Sequence, residues 1–468
     1  MNRNLTYLLS AAMLCAPCAL AADTTPEGGI STALLEQLRA DYTPSASDIA
    51  LRNAVANVGL DKVAFSKEKS NGFDTHFSHR VRSKGITDQK QSGRCWLFTG
   101  LNVLRSQMMA AHDLPELELS QSYNFFYDQL EKSNLFLQAI IDTSSLPADN
   151  REVEWLFRNP LSDGGQYTGL ADNISKYGVV PASVMQDSFS AASTSRMNQL
   201  LSRKLREDAL ALRSLAAKGV SAETLATSKD AMLADVYRLL AVSLGVPPSS
   251  FEWTRLDSKG NVVSRKTYTP QEFYAEFAGN DLKNDYVMLM NDPSRPYWKL
   301  YEIDYDRHTY DGRNWTYVNL PVEEIKKMAI ESIKDSTMMY FSCDVGKYLD
   351  RDNGVLDSDR FDYEAATGVS FGMDKADRIR TFDSASSHAM TLVAVDLDEK
   401  GNPRKWMVEN SWGPGANEGH LIMTDPWFDE YMFRLVVNKK YAPKKVLDVL
   451  RQSPEKLPAW DPMFGADE

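Results

Sequence analysis

The chain has 468 residues, of which 43% are hydrophobic and 10% are aromatic. This composition can fill a large buried core, and it excludes a disordered, collagen-like or disulfide-dense small protein. At about 150 residues per domain, the length predicts three domains or one large domain with insertions. The 52 basic and 64 acidic side chains give a net charge of −12, which argues against a general attraction to nucleic acid or anionic lipid.

Residues 1–21 have the pattern of a signal peptide. Arg3 provides a positive flank, residues 5–20 are mostly apolar, and Ala19-Leu20-Ala21 matches an A-x-A cleavage site. We therefore predict an exported protein, periplasmic or secreted, with a mature chain that begins at Ala22. No later run reaches about 18 apolar residues, so no membrane-spanning helix is expected.

Export would leave two cysteines in the mature chain, because Cys15 and Cys18 would be removed with the signal. In an oxidising compartment one interpretation of Cys95 and Cys343 is a disulfide between them. The number of cysteines alone does not decide whether this disulfide forms. The residues around Cys95 are needed to decide it.

The first half of the mature chain has mainly helical patterns. Residues 24–68 are polar with short helical signals, which indicates an amino-terminal arm. Apolar residues recur at helical intervals from Cys95, so an amphipathic helix is predicted to begin there. Residues 195–245 are rich in Ala, Leu, Arg and Lys and predict a helical insertion.

The second half is dominated by strand patterns. Residues 251–269 alternate around a Lys259-Gly260 turn, which predicts a hairpin, and Thr269 then opens a capping box before the next helix. Residues 388–395 and 405–410 predict two strands joined by a turn at 398–403. Helices at the front and strands at the back favour an α+β fold with segregated halves.

The segment around Cys95 predicts a thiol nucleophile. A free cysteine titrates near pH 8.5, and the first turn of a helix stabilises its thiolate through the helix dipole. Gly93 permits the tight turn that presents the sulfur, while Gln89 is placed to donate from its carboxamide to a developing oxyanion. The alternative is a buried structural cysteine at the start of a helix.

His388 is the candidate general acid and base, since a thiol nucleophile needs an imidazole to take and return its proton. It heads the first strand of the predicted hairpin, and the return strand brings Asn410 opposite it within a residue or two. The Asn410 carboxamide is therefore expected to orient the ring, and Trp412 to shield the pair from water. A lone histidine on a strand is usually structural, but this surrounding pattern is harder to explain in that way.

These residues resemble the active-site signatures of papain-like cysteine peptidases, and more narrowly the bleomycin hydrolase and aminopeptidase C family. The resemblance rests on four motifs, in the family's order, over nearly the whole mature chain: Gly93-Arg94-Cys95-Trp96-Leu97-Phe98, Ser342-Cys343-Asp344-Val345-Gly346-Lys347, Val408-Glu409-Asn410-Ser411-Trp412-Gly413 and Leu457-Pro458-Ala459-Trp460-Asp461-Pro462-Met463.

The resemblance implies a papain-like fold, with a helical half and a β-barrel-like half, that carries a helical insertion. It implies Cys95 as nucleophile, His388 as acid and base, Asn410 as orienting residue and Gln89 as oxyanion donor. It also implies that the carboxy-terminal tail lies in the cleft, where a terminal carboxylate binds the substrate's amine, so Glu468 joins Trp412 and Gly93 as a predicted substrate-binding residue. No cofactor or metal is expected.

The resemblance further implies peptide substrates, a homohexamer and a buried Cys343 thiol outside any disulfide; binding of nucleic acid or membrane is not expected. The tail differs from the family's pattern, since Phe464 directly follows Met463 and two acidic residues end the chain. If the altered tail does not block the cleft, a papain-like endopeptidase or dipeptide-releasing enzyme stays open as an alternative. A separate alternative is a non-catalytic papain-fold binding or assembly protein.

The predicted organisation has six segments. They are a signal peptide (1–21), an amino-terminal arm (22–80), a helical catalytic half (81–190), a helical and hairpin insertion (191–300), a β-rich catalytic half (301–450) and a tail in the cleft (451–468).

Overall fold

The computed structural model describes residues 28–82 and 84–464. The helices are α1 (Thr32–Asp41), α2 (Ala46–Val58), α3 (Leu60–Ala64), α4 (Lys67–Ser70), α5 (Cys95–His112), α6 (Gln121–Asp142), α7 (Arg151–Arg158), α8 (Tyr167–Tyr177), α9 (Phe189–Ala192), α10 (Ser195–Ala217), α11 (Ala222–Leu244), α12 (Pro270–Phe277), α13 (Val322–Lys334), α14 (Tyr363–Thr367), α15 (Lys375–Arg380), α16 (Asp425–Tyr431) and α17 (Lys444–Val449).

The strands fall mainly in the second half of the chain. They are β1 (His79–Arg80), β2 (Phe251–Leu256), β3 (Val262–Tyr268), β4 (Tyr286–Met290), β5 (Lys299–Ile303), β6 (Thr316–Asn319), β7 (Met339–Cys343), β8 (Leu349–Asp350), β9 (Val355–Leu356), β10 (His388–Leu397), β11 (Pro403–Glu409), β12 (His420–Thr424), β13 (Met432–Asn438) and β14 (Glu455–Leu457).

The described residues divide into two compact units. The smaller unit takes the residues up to Phe65 together with Asp362–Val369. Within it, a capping box at Ser45 starts α2, and the Asp362 amide donates to the Ala64 carbonyl at 2.8 Å. The larger unit takes Ser66–Phe361 and the chain from Ser370 onward, and it carries all of the candidate site residues that the structure describes.

The main sheet of the larger unit has twelve strands. Its order is β14-β5-β6-β4-β13-β7-β10-β11-β12-β9-β8, and β1 pairs with the far end of β10. Strand β10 lies antiparallel between β7 and β11, and its first residue, His388, is directly opposite Cys343 of β7. This position places the start of β10 deep inside the unit rather than at a sheet edge.

Both faces of this sheet are buried, because side chains alternate between two hydrophobic clusters. In β13, Val436 belongs to the cluster that contains the start of α5, while its neighbours Leu435 and Val437 belong to the cluster with α13. Burial of each such side chain stabilises the folded state by roughly 1.5–3 kcal/mol. The chain therefore anchors the start of α5 on one face of the strands that carry His388.

The structure confirms the elements predicted around the site. Helix α5 begins at Cys95, α10 and α11 occupy the predicted helical stretch, and β10 and β11 form the predicted hairpin. The hairpin β2–β3 and the capping box at Thr269 are also present. Helices at the front and strands at the back confirm the α+β class, whereas the six-segment division stays a prediction.

Candidate active site

Cys95 is the first residue of α5 and is fully buried. The N-cap residue Arg94 makes no side-chain cap to the helix, so the first turn keeps its amide dipoles directed towards the site. The backbone amide of Ala389 lies 3.5 Å from the Cys95 sulfur and donates to it. Cys95 and Ala389 are 294 positions apart in the sequence. Since Ala389 directly follows His388, this contact places the thiol beside the strand end that carries the candidate imidazole.

The Arg94 side chain fixes the loop that leads into α5. Its guanidinium donates to both carboxylate oxygens of Asp187, at 3.2 and 2.8 Å, and stacks near Phe98 and Phe125. Burial would raise the pKa of Asp187, but the bonds and charge of Arg94, with a bond from Ser122, bring it below its ordinary value. The pair therefore stays charged, and it locks the residue before the nucleophile.

Gly93 lies against the carboxylate of Asp163. The Gly93 amide donates to Asp163 at 2.8 Å, and a Cβ added at Gly93 would meet the Asp163 Oδ1 atom at 2.7 Å. The Thr194 hydroxyl donates to the same carboxylate. Glycine is thus required here for close approach, because any side chain would displace Asp163.

The His388 ring is held by Asn410. Its Nε2 atom lies 2.8 Å from Asn410 Oδ1, which also accepts from the Ser411 amide at 2.8 Å. The Ser411 amide is a donor only, so the atom facing it must be the carboxamide oxygen and Nε2 must carry the ring proton. In the neutral ring this leaves Nδ1 as the basic nitrogen.

Trp412 covers this pair from one side. Its ring centroid lies 4.9 Å from that of His388 at an interplanar angle of 32°. The His388 and Asn410 side chains are buried, while Trp412 itself is 38% exposed. Trp412 therefore forms a wall between the hydrogen bond and solvent.

Gln89 is tied to the same strand end. Its side-chain oxygen accepts from Ser411 Oγ at 2.7 Å, and its amide nitrogen donates to the Ser92 carbonyl at 2.6 Å. The Gln89 backbone amide also donates to the Ser411 carbonyl at 2.8 Å. These bonds fix the loop before Cys95 to the segment after Asn410, so four predicted residues, Gln89, Cys95, His388 and Asn410, come together.

A cleft of about 1310 Å³ opens beside the Ser92-Gly93 turn. One wall is the segment 162–165, whose carbonyls accept from buried donors: Lys132 donates to Ser162 and Gly164, at 3.1 and 2.5 Å, and the Trp96 indole donates to Asp163 at 2.9 Å. This wall was not predicted from the sequence. The Asp163-Gly164-Gly165 run was its only sequence signal, and that run indicates a turn without indicating a use.

Lys132 belongs to a buried charged group beneath the cleft. It pairs with Asp128 at 2.9 Å, and Asp128 also bonds His308 Nδ1 at 2.6 Å. Burial lowers the pKa of His308 and the charge of Lys132 lowers it further, which together outweigh the opposing effect of Asp128. Added Cβ atoms at Gly165 or Gly169 would strike the His308 ring, which explains glycine at both positions.

The end of the described chain lies at the cleft. Arg295 pairs with Asp461 at 3.0 Å, and Arg434 donates to the Met463 carbonyl at 3.0 Å. Phe464 lines the cleft and packs edge-on against Trp155, with centroids 5.0 Å apart. Glu468, predicted to bind substrate, lies outside the described residues.

Within the described residues neither Cys95 nor Cys343 forms a disulfide, and both are fully buried. This is the arrangement that the resemblance implied for Cys343, and it excludes the Cys95–Cys343 bridge that the cysteine count left open. Among the described helices none is long and apolar enough to cross a membrane.

Comparisons with known proteins cover nearly the whole described chain. The model of the Peptidase C1-like family matches residues 29–464. Bleomycin hydrolase from Homo sapiens is 42% identical over 405 residues, which cover 84% of this chain and 89% of the human protein. Aminopeptidase C from Streptococcus thermophilus is 36% identical over 437 residues, or 93% of this chain and 98% of that protein.

A solved structure is similar over the same extent. PepW from Lactobacillus rhamnosis HN001 has a TM-score of 0.90 and 36% sequence identity, and the match covers 93% of this chain and 99% of PepW.

The comparisons correct the predicted export. Bleomycin hydrolases and aminopeptidases C are cytosolic enzymes, so the prediction of a periplasmic or secreted protein is wrong. It rested on an apolar run with small residues at its end, a composition pattern that a short segment can have without being an export signal. The predicted signal peptide, residues 1–21, lies outside the described residues.

Proposed function

The chain belongs to the Peptidase C1-like family, with the bleomycin hydrolases and aminopeptidases C among its relatives, and on that premise we propose that it is a cysteine aminopeptidase. The family and the papain-like α+β fold predicted from the sequence are confirmed. Peptides with a free amino terminus are the proposed substrates.

The proposed reaction uses Cys95 as nucleophile. Its thiolate attacks the carbonyl carbon of the first peptide bond, and the oxyanion that forms is stabilised by the Cys95 amide and the Gln89 carboxamide. The carbon–nitrogen bond then breaks as the His388 imidazolium gives its proton to the leaving amine. Water next attacks the thioester while His388 takes a proton from it, which releases the first amino acid and restores Cys95.

One observation carries this proposal: the Ala389 amide donates to the Cys95 sulfur while His388 Nε2 bonds Asn410. The first contact supports proton exchange between Cys95 and His388. The second leaves Nδ1 as the basic nitrogen of the neutral ring, so Asn410 acts by orienting the ring and fixing its tautomer. A binding protein without catalysis has no need of both features together.

We propose that the tail sets the preference for a free amino terminus. The partly buried Arg295–Asp461 pair and the bond from Arg434 to Met463 support a tail that is fixed rather than loosely attached, and Phe464 already occupies part of the cleft. A fixed tail excludes a peptide that continues past its first residue, and a carboxylate there favours an ammonium group. Glu468 keeps this role as a proposal from the family resemblance.

The homohexamer implied by the resemblance is also a proposal. It is supported by large apolar side chains exposed on the helical insertion, where Leu210 of α10 and Val242 of α11 are more than half exposed.

The test compares a peptide with a free amino terminus and the same peptide acetylated, for the wild type, a variant truncated after Phe464 and Cys95→Ala. We expect the wild type to cleave only the free peptide, the truncated variant to cleave both, and Cys95→Ala to cleave neither while keeping its melting temperature. Cleavage of the acetylated peptide by the wild type would favour the endopeptidase alternative. Undiminished activity of Cys95→Ala would exclude the thiol mechanism.

A further inference from the structure

The motif from Ser342 to Lys347 has no part in the proposed reaction, yet it adjoins His388. Cys343 ends β7 directly opposite His388, and Ser342 is opposite Ala389. Residues paired in this way have Cα atoms about 4.5–5.5 Å apart. Asp344, the next residue, therefore lies beside the strand end that presents the imidazole.

Asp344 holds the segment that leads into His388. Its Oδ2 atom accepts from Ser384 Oγ at 2.7 Å, and its Oδ1 atom faces Ser387 Oγ at 3.4 Å. The Ser387 amide donates to the Cys343 carbonyl at 3.0 Å, just before β10 begins. The carboxylate thus contacts both ends of the Ser384–Ser387 segment, and the second contact is to the residue that precedes His388.

The charge of Asp344 is also unusual in its setting. Asp344 is 9% exposed, and among the described residues it makes no ion pair, whereas the buried Asp128 pairs with Lys132. Burial raises the pKa of Asp344, and the bond from Ser384, together with the charge of Lys347, only partly offsets this. A negative charge with little local compensation acts on its neighbours more strongly than a paired one.

Other charged groups near this end of the site are already paired or lie further out. On the Asp344 side, Lys347 pairs with Asp383 at 3.2 Å. On the Trp412 side, Lys90 pairs with Asp88 at 2.5 Å, and Arg351 lies over the outer indole ring. Cys95 is also a titratable neighbour of His388, since its sulfur accepts from the Ala389 amide.

We propose that Asp344 is a positioning residue for His388 and, resting on the proposed thiolate–imidazolium mechanism, that its charge stabilises the imidazolium form. The hydroxyl bonds fix the segment before the ring, and the carboxylate raises the pKa of the ring nitrogen. Activity that requires the imidazolium is lost as pH rises through that pKa. Removing the negative charge therefore moves the alkaline limb of the pH–activity profile to lower pH.

The test measures kcat, KM and the pH profile for Asp344→Asn, Ser384→Ala and Asp383→Asn. Asp344→Asn is expected to lower the alkaline limb by about 0.5–1 pH unit and kcat about tenfold, with KM within about twofold. Ser384→Ala removes the short bond but keeps the charge, so kcat should fall while the limb stays. Asp383→Asn changes a neighbouring carboxylate paired with Lys347 and should leave both unchanged.

An alkaline limb in Asp344→Asn identical to that of the wild type would overturn the electrostatic role, whatever the loss of activity. If Asp344→Asn does not fold, as judged by its melting temperature, Ser384→Ala decides, since an unchanged kcat there would contradict the positioning role. Failure of this inference is distinct from failure of the proposed function, because the latter is tested by activity in Cys95→Ala and by cleavage of the acetylated peptide, neither of which depends on Asp344.

Discussion

At the scale of single residues, Asn410 is the clearest case of one side chain setting the chemistry of another. Its oxygen accepts both from His388 and from the Ser411 amide, so the ring tautomer follows from a backbone bond next to Asn410 itself. The sequence predicted that Asn410 would orient His388, and the geometry adds which ring nitrogen carries the proton.

Replacing Asn410 with alanine is expected to lower kcat by about ten- to a hundredfold, since the ring loses its acceptor and half of its tautomers become unproductive. KM should change little, because Asn410 lies behind the ring. Steady-state kinetics on a free peptide measure both. Asn402→Ala is the matched control: its amide bonds Asp398 in the exposed turn of the same hairpin, and its kcat should equal that of the wild type. Full activity in Asn410→Ala would contradict the orienting role.

At the scale of elements, the junction between the Gly93 loop and α5 explains how the nucleophile is presented. Arg94 forms an ion pair with Asp187, and the Gly93 amide donates to Asp163. Both residues before Cys95 are therefore fixed by carboxylates from distant segments. The sequence predicted the start of the helix from its apolar spacing. It did not predict the contacts with these two carboxylates, because Asp163 lies 70 positions from Gly93 and Asp187 lies 93 positions from Arg94.

Gly93→Ala tests this junction. The new Cβ would meet the Asp163 carboxylate at 2.7 Å and its Cγ atom at 2.9 Å, so the loop or Asp163 must move. Overpacking of this kind costs about 1–3 kcal/mol in the free energy of unfolding, and displacement of the loop should also lower kcat. Urea unfolding and steady-state kinetics measure the two effects. Gly372→Ala, where an added Cβ meets nothing within 4 Å, should change neither; equal stabilities of the two variants would count against the close approach.

At the scale of the whole molecule, the site depends on the order of strands in the large sheet. Strand β10 lies inside the sheet between β7 and β11. The hydrophobic cluster that contains the start of α5 also contains Ala389, the second residue of β10. This arrangement brings Cys95 to the start of β10, and it also places the end of the described chain, at Phe464, against the cleft. Sequence periodicity indicated the separate elements but not this order.

Sedimentation equilibrium measures the mass of the assembly and so tests the proposed hexamer. We expect a mass about six times the 52.6 kDa of one chain. Val242→Asp, at a side chain that is 83% exposed, should lower that mass because it puts a charge on the apolar surface of α11. Glu223→Gln, on the same helix, should leave the mass unchanged. A wild type that sediments as a single chain would contradict the hexamer.

The amino-acid sequence by itself determined the α+β class, the helix that begins at Cys95, the β10–β11 hairpin and the family, since these depend on local periodicity, turn residues and short motifs. Its composition misled on export, because an apolar run with small residues is not specific. Only the tertiary structure decided the tautomer of His388, the Asp163 wall of the cleft, the position of Asp344 and the anchoring of Asp461 and Met463. Each of these depends on contacts between residues far apart in sequence, and local patterns carry no information about such pairs until the strands and helices have packed.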